Sequence, residues 1–375
     1  MSEPTGLDTE VAIGTPAIGK RPVRPWMRIV FGLVGAGVAV ALPYSFNAVD
    51  VDVFSSVLYL AIAAMGLNLL TGYNGQISIG HGAFFGVGAF TSAILVSDYG
   101  WSIEATIPIA ALLAAALGVA LGIPALRVKG LYLALITLGL AVLFPVVAKK
   151  YVKGPGGASL KILNRQEVSS RYPDLLSDDQ YRYFLCLILL VVLFWAAYNL
   201  MNSRVGRSMI AVRDQELAAS TVGIDVARVK VATFALSAAY AGIAGSLSVM
   251  VNKIADASNP LVYFQLSIEF LIAVVIGGAA TITGPLLGAI ALVWIRRRTD
   301  SADDFLPKLL GLENRSEQLA PAMLGGILII ITYVLPDGIV GGLRRLSNRI
   351  RSGGSGGGPT FVPAAEPDAN SPTPP

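Results

Sequence analysis

GYNGQISIGHGAFFG, residues 72–86, interrupts a chain that would otherwise run on as lipid-soluble helix. The apolar run 53–71 precedes it and another follows at 82–97, while glycines 72, 75, 80 and 82 surround His81, the one histidine of the sequence. Backbone at membrane depth must find hydrogen-bond partners, so a break is tolerated only where protein or a water-lined cavity surrounds it. The glycines permit the break. Asn74, Gln76, Ser78 and His81, with Asn68 just ahead of them, supply donors and acceptors. Interrupted helices of this kind line solute paths in transporters, which makes these five residues candidates for a substrate pathway. The competing reading is a turn at the membrane surface whose polar groups satisfy one another or water.

Working outward, 54% of the 375 residues are hydrophobic and only 14% charged, far from the balance of a soluble globular domain. The apolar residues fall into uncharged runs close to the roughly 20 residues that cross a bilayer. Such runs lie at 30–48, 53–71, 82–97, 105–124, 130–148, 182–201, 230–250, 266–278, 282–295 and 321–336. The fold they predict is all-α, a polytopic integral membrane protein of about ten transmembrane or re-entrant helices. Runs 266–278 and 282–295 are short, and Gly277, Gly278, Gly284 and Pro285 predict a second break between them, as Gly72 and Gly75 predict the first. Gly118 with Gly122, and Gly284 with Gly288, are spaced to let helices approach closely in lipid.

The ends differ in character. Residues 1–25 and 347–375, rich in Pro, Gly and polar residues, read as disordered tails on either side of a membrane-spanning body at 26–346. Lys20, Arg21, Arg24 and Arg28 precede the first run, the turn 98–104 carries Asp98 and Glu104 without a basic residue, and the loop 202–229 carries Arg204, Arg207, Arg213 and Arg228. Because basic residues favour the cytoplasmic side, this alternation predicts a cytoplasmic N-terminus, a cytoplasmic 202–229 loop and a cytoplasmic C-terminus. Lys149, Lys150 and Lys153 then fall outside, in a long loop where the rule weakens.

Several chemistries are excluded. GTPAIGKR, residues 14–21, follows a phosphate-binding loop as far as Lys20, but Arg21 stands where a magnesium-binding Ser or Thr is needed and no strand leads into it. One histidine and one cysteine, Cys186 inside an apolar run, leave no set of residues for a metal centre or nucleophile relay. No catalytic residue, metal or cofactor is expected. The net charge of +4 is small for a nucleic-acid binder, and its basic residues flank apolar runs as they do beside lipid headgroups. Glu269, near the start of a short run, is a further pathway candidate, because an ionisable residue there is expensive unless it has a role.

The loop 202–229 is too long for a turn and too charged for the membrane. Asp214 is placed to cap a short helix carrying Glu216 in its first turn, Gly223 to end it, and Asp225 to open a second short element. Two short helices meeting at a glycine read as a docking knob for a partner, the competing reading being a solvated charged loop.

This loop resembles the coupling loop of ABC-importer permeases, whose EAA-like stretch followed by glycine is met by Glu216, Leu217, Ala218, Ala219 and Gly223. More closely, four blocks in order are similar to LivM-type permeases of branched-chain amino acid transporters: MGLNLLTGYNGQISIGHGAFFGVGAFTSA at 65–93, GRSMIAVRDQELAASTVGID at 206–225, LSIEFLIAVVIGGAATITGPLLGA at 266–289 and LPDGIVGG at 335–342. The tails and the segment 296–320 look longer than such permeases need. The resemblance implies an ABC-importer permease in the bacterial cytoplasmic membrane, importing branched-chain or other amino acids by alternating access. It implies a second, LivH-type permease, two cytoplasmic ATPase subunits and an extracytoplasmic solute-binding protein as partners. Arg213, Glu216 and Gly223 would then be the residues coupled to the ATPase. Urea or a short-chain amide is the alternative solute, and an ion-coupled secondary transporter the rival mechanism, one for which only Glu269 and His81 offer titratable groups in the spans.

Overall fold

The structure is a computed structural model, describing residues 35, 37–126, 128, 130–151, 160–163, 176–259, 261–302, 325, 326, 338–343 and 345. Both predicted tails, the predicted span 321–336 save Gly325 and Gly326, and all of 296–320 beyond residue 302 lie outside them. The chain divides into two units, Met1–Phe46 and Asn47–Pro375. In the first, residues 37–45 are helical, within the expected first span.

The second unit is a helical bundle: α1 (Ala48–Leu67), α2 (His81–Tyr99), α3 (Ile103–Ala125), α4 (Leu131–Tyr151), α5 (Asp178–Asn202), α6 (Arg204–Asp214), α7 (Glu216–Thr221), α8 (Val226–Asn252), α9 (Val262–Gly277) and α10 (Gly284–Ala302). Among the described residues six helices are long and apolar enough to cross a membrane, and α9 is a shorter apolar one. This is the all-α, polytopic architecture that the runs predict. The addition is a pair of three-residue strands, β1 (Leu160–Ile162) and β2 (Ile254–Asp256), antiparallel with Leu160 opposite Asp256. Strands this short carry no alternating pattern from which they could be read.

Helices α1 and α8 form the core and are mostly buried, whereas α3, α4 and α5 present much of their apolar surface outward. Outward apolar surface is what a helix facing lipid or another permease needs, because lipid offers no hydrophobic driving force to hide it. The core helices meet through small residues and hydroxyls. A Cβ on Gly88 would lie 2.0 Å from the carbonyl oxygen of Gly242, so α2 and α8 touch backbone to backbone. Beside that contact Ser92 Oγ lies 2.6 Å from Ser246 Oγ, and Thr106 Oγ1 donates to Ser92 at 2.9 Å, tying α2, α8 and α3 together. The predicted small pairs act similarly. Gly118 faces Ala235 and Ala238 of α8, and Gly288 abuts the Ala273 carbonyl of α9. Buried Arg182 of α5 donates to Asp52 of α1 at 3.1 Å and also pairs with Asp179, fixing the two helix beginnings together.

Candidate functional site

Both predicted breaks are present and they meet. Helix α1 does not stop at Leu67 but widens into a π-helical turn, Asn68–Tyr73, before the chain opens into an irregular stretch that ends at His81. π-turns are rare and gather at functional sites. Gly75 sits at φ +72°, a left-handed conformation that glycine adopts without steric cost. The second break runs from Gly278, at φ +112°, to Gly284, where α10 starts with Pro285 in its first turn, a position where the missing N–H does no harm. Asn68 joins the two: its Nδ2 donates to the Thr281 carbonyl at 2.8 Å and its Oδ1 accepts from the Ala280 N–H at 2.9 Å. Gly72 permits the approach, since a Cβ there would lie 2.2 Å from Asn68 Oδ1 and 2.6 Å from the Ala280 nitrogen. Gly338, from the fourth quoted block, packs against the Gly278 nitrogen.

The loop 202–229 reaches the same place. Arg213 Nη1 donates to the Gly72 carbonyl at 3.1 Å, and its side chain lies over Gly75. All four sequence blocks therefore meet at the two joined breaks, across 141 residues in the case of Arg213 and 213 in that of Asn68. The loop itself differs from expectation in two ways. Asp214 is the last residue of α6 rather than a cap, because the chain stays helical through it and turns only at Gln215, whose backbone is extended. Asp225 does cap a helix, accepting from the Arg228 N–H at 3.0 Å, but that helix is the long α8 and not a second short element.

Between these turns α7 is held by one ion pair and displays an apolar surface. Glu216 accepts from Lys230 Nζ of α8 at 2.6 Å, and Lys230 is largely buried. Ala219 is buried while Ala218 faces outward, and Leu217 and Val222 are 81% and 76% exposed. Gly223 leaves the helix at φ +85° with open space where a side chain would stand. Gln76 Nε2 donates to the Lys230 carbonyl at 3.4 Å, so the break and the start of α8 also touch directly. Asn74, Gly75, Gln76, Arg213, Glu216 and Lys230 line a common cavity of about 180 Å³.

The remaining candidates occupy two other places. His81 is fully buried at the start of α2, where its Nε2 lies 3.0 Å from the Ala63 carbonyl and must carry the proton, since a carbonyl only accepts. Its ring meets Phe84 and Phe270 edge to face. Ser78 is buried nearby, and neither its hydroxyl nor the Asn74 amide has a hydrogen-bond partner among the described residues. Glu269 lies apart, paired with Arg296 of α10 at 3.4 Å and lining a second cavity. Lys230 and Arg296 were missed by sequence reasoning. The signal for Lys230 was a cation at the first position of the apolar run 230–250, and for Arg296 a basic residue closing the short run that follows the one holding Glu269.

Comparison with known proteins adds what geometry lacks. The family described as "branched-chain amino acid transport system / permease component" matches residues 51–332. The high-affinity branched-chain amino acid transport system permease protein LivM of Escherichia coli (strain K12) is 30% identical over 346 residues, 87% of this chain and 77% of that protein. The corresponding LivH protein of the same strain is 24% identical over 294 residues, 75% of this chain and 91% of that protein. The probable LivM permease of Methanocaldococcus jannaschii is 27% identical over 160 residues, 42% of this chain and 44% of that protein. No solved structure matches the chain.

Proposed function

The chain belongs to the family of branched-chain amino acid transport permease components, and from that premise we propose that it is one of two related permeases in an ATP-driven importer of branched-chain amino acids. The observation that carries this reading is α7. Leu217 and Val222 are displayed at the end of the bundle on a charged loop, where exposed large apolar residues mark a protein contact. The occupant we assign is a cytoplasmic ATPase subunit. The basic residues Arg204, Arg207, Arg213 and Arg228 around α7 support a cytoplasmic position for that end, and with it cytoplasmic termini.

The mechanism follows from the contacts. A ligand moves an equilibrium only through contacts that differ between its states. ATP-dependent displacement of α7 pulls on Lys230 through Glu216 and on the Gly72 carbonyl through Arg213, so the first break and the start of α8 move with the ATPase. Because Asn68 ties that break to the second, α9 and α10 follow. The outward surfaces of α3, α4 and α5 are left for lipid and the second permease, and the opposite end of the bundle for a solute-binding protein.

Reconstitution of the chain with the second permease, both ATPases and the binding protein tests the reading. Expected is ATP-dependent uptake of L-leucine, lost with Glu216→Lys. Uptake of urea in place of leucine, or leucine uptake without the ATPases, would overturn it.

A further inference from the structure

The second cavity, about 650 Å³, lies between the first half of α1, the end of α8, α9 and the second half of α10. Its volume is within the roughly 300–1,000 Å³ typical of small-molecule sites. We propose that it is a solute site for a zwitterionic apolar amino acid, with Glu269 receiving the ammonium group, Arg296 the carboxylate, and Val53, Leu60, Leu266 and Leu292 the side chain. This rests on the importer reading for its solute.

Three observations carry it. First, the wall is divided as such a ligand requires: aliphatic side chains from α1, α9 and α10, with ionic groups confined to Glu269, Arg296 and Arg297. Second, the charges balance, since Arg297 is paired with Asp50 at 2.8 Å and Glu269 with Arg296, so a neutral zwitterion enters without stranding a net charge. Third, the Glu269–Arg296 pair is loose. Its two contacts are 3.4 and 3.5 Å, against 2.6 Å for Lys230–Glu216, and a zwitterion inserted between its members replaces one long pair by two short charge-assisted ones. Asn252 adds an acceptor: its Nδ2 donates to Tyr59 and Ser248, and its carbonyl oxygen has no partner among the described residues. Urea, with no charge and no apolar part, uses neither wall.

The test uses the assembled complex in lipid nanodiscs with Leu266→Cys, the natural Cys186 being fully buried. Saturating L-leucine is expected to slow modification of the introduced thiol by a cationic methanethiosulfonate about tenfold, by occupancy alone. Neither 4-methylvalerate nor 3-methylbutylamine, each with one of the two charges, should protect at the same concentration. Adding Glu269→Gln should abolish protection, scored as the ratio of labelling rates with and without leucine in that same variant, with complex assembly retained. The exchange Glu269→Arg with Arg296→Glu keeps the salt bridge but reverses the site, and should also abolish protection. Equal labelling with and without leucine, or protection that survives the exchange, overturns the proposal. ATP-driven leucine uptake by the wild-type complex reads the parent proposal separately: uptake with an unprotected thiol removes the cavity alone, and protection without uptake supports the site and removes the importer.

Discussion

Two different kinds of ionic contact stand beside the opposite ends of helices α1 and α8. Near Gly72 and Lys230 the contacts are partly buried, a 2.6 Å ion pair and a hydrogen bond from Arg213 to backbone, and the enclosed space is about 180 Å³. Around Tyr59 and Asn252, roughly 30 Å away along the rise of α8, the Glu269–Arg296 pair is long and the space is about 650 Å³. A short pair fixed to backbone transmits displacement, because moving one member moves the other. A loose pair facing a cavity can be separated by a solute. On the reading proposed above, the difference divides the work between the ends, transmission at the first and reception at the second, with the same two helices between them.

The comparison can be broken most severely at Gly72. Valine there collides with Asn68 and the Ala280 backbone, so Gly72→Val should destabilise the chain by about 3 kcal/mol or more, read as a large fall in the thermal midpoint in detergent and loss of assembled complex. Next is Glu216→Lys, which sets a cation against buried Lys230. Leucine uptake should fall at least about tenfold with assembly retained, and the added Lys230→Glu should restore part of it. If the reversed pair gives no recovery, the Glu216–Lys230 contact is not what transmits. Gly223→Val has room for its side chain but forces a left-handed backbone at a cost of about 1–2 kcal/mol, so uptake should fall severalfold through a misplaced α7, with the thermal midpoint of the bundle unchanged. The smallest effect is expected at Ser92→Ala, which removes a hydroxyl bonded at both neighbours in the packed middle. Hydroxyl contacts between membrane helices average about 0.6 kcal/mol, so the midpoint should drop slightly and uptake per assembled complex should not change.

Much of this was legible in the residues. Bilayer thickness sets the length of an apolar run, so most spans could be read to within a few positions, and the chain takes up positive φ at Gly75 and Gly278 where it leaves the helices. The pairing of the breaks was not legible, because Asn68 and Thr281 are 213 residues apart and neither carries a local signature of the other. The two aspartates of the loop 202–229 show the limit of local rules. Asp214 and Asp225 look alike as capping candidates in sequence, yet only Asp225 has an extended backbone and caps. Lys230 was hidden because its partner Glu216 lies on another element, and the larger cavity because it is made by five helices that no local pattern brings together. The six proposed pathway residues accordingly separate into three groups: Asn68 as the clamp between breaks, Asn74, Gln76, Ser78 and His81 at or beside the first break, and Glu269 at the far cavity.

The most direct test of transmission is the number of leucine molecules imported per ATP hydrolysed by the reconstituted complex carrying Arg213→Ala. Arg213 touches the Gly72 carbonyl rather than the exposed apolar face of α7, so ATPase docking should persist. The account predicts that hydrolysis continues while leucine imported per ATP falls about tenfold. An unchanged ratio would contradict it.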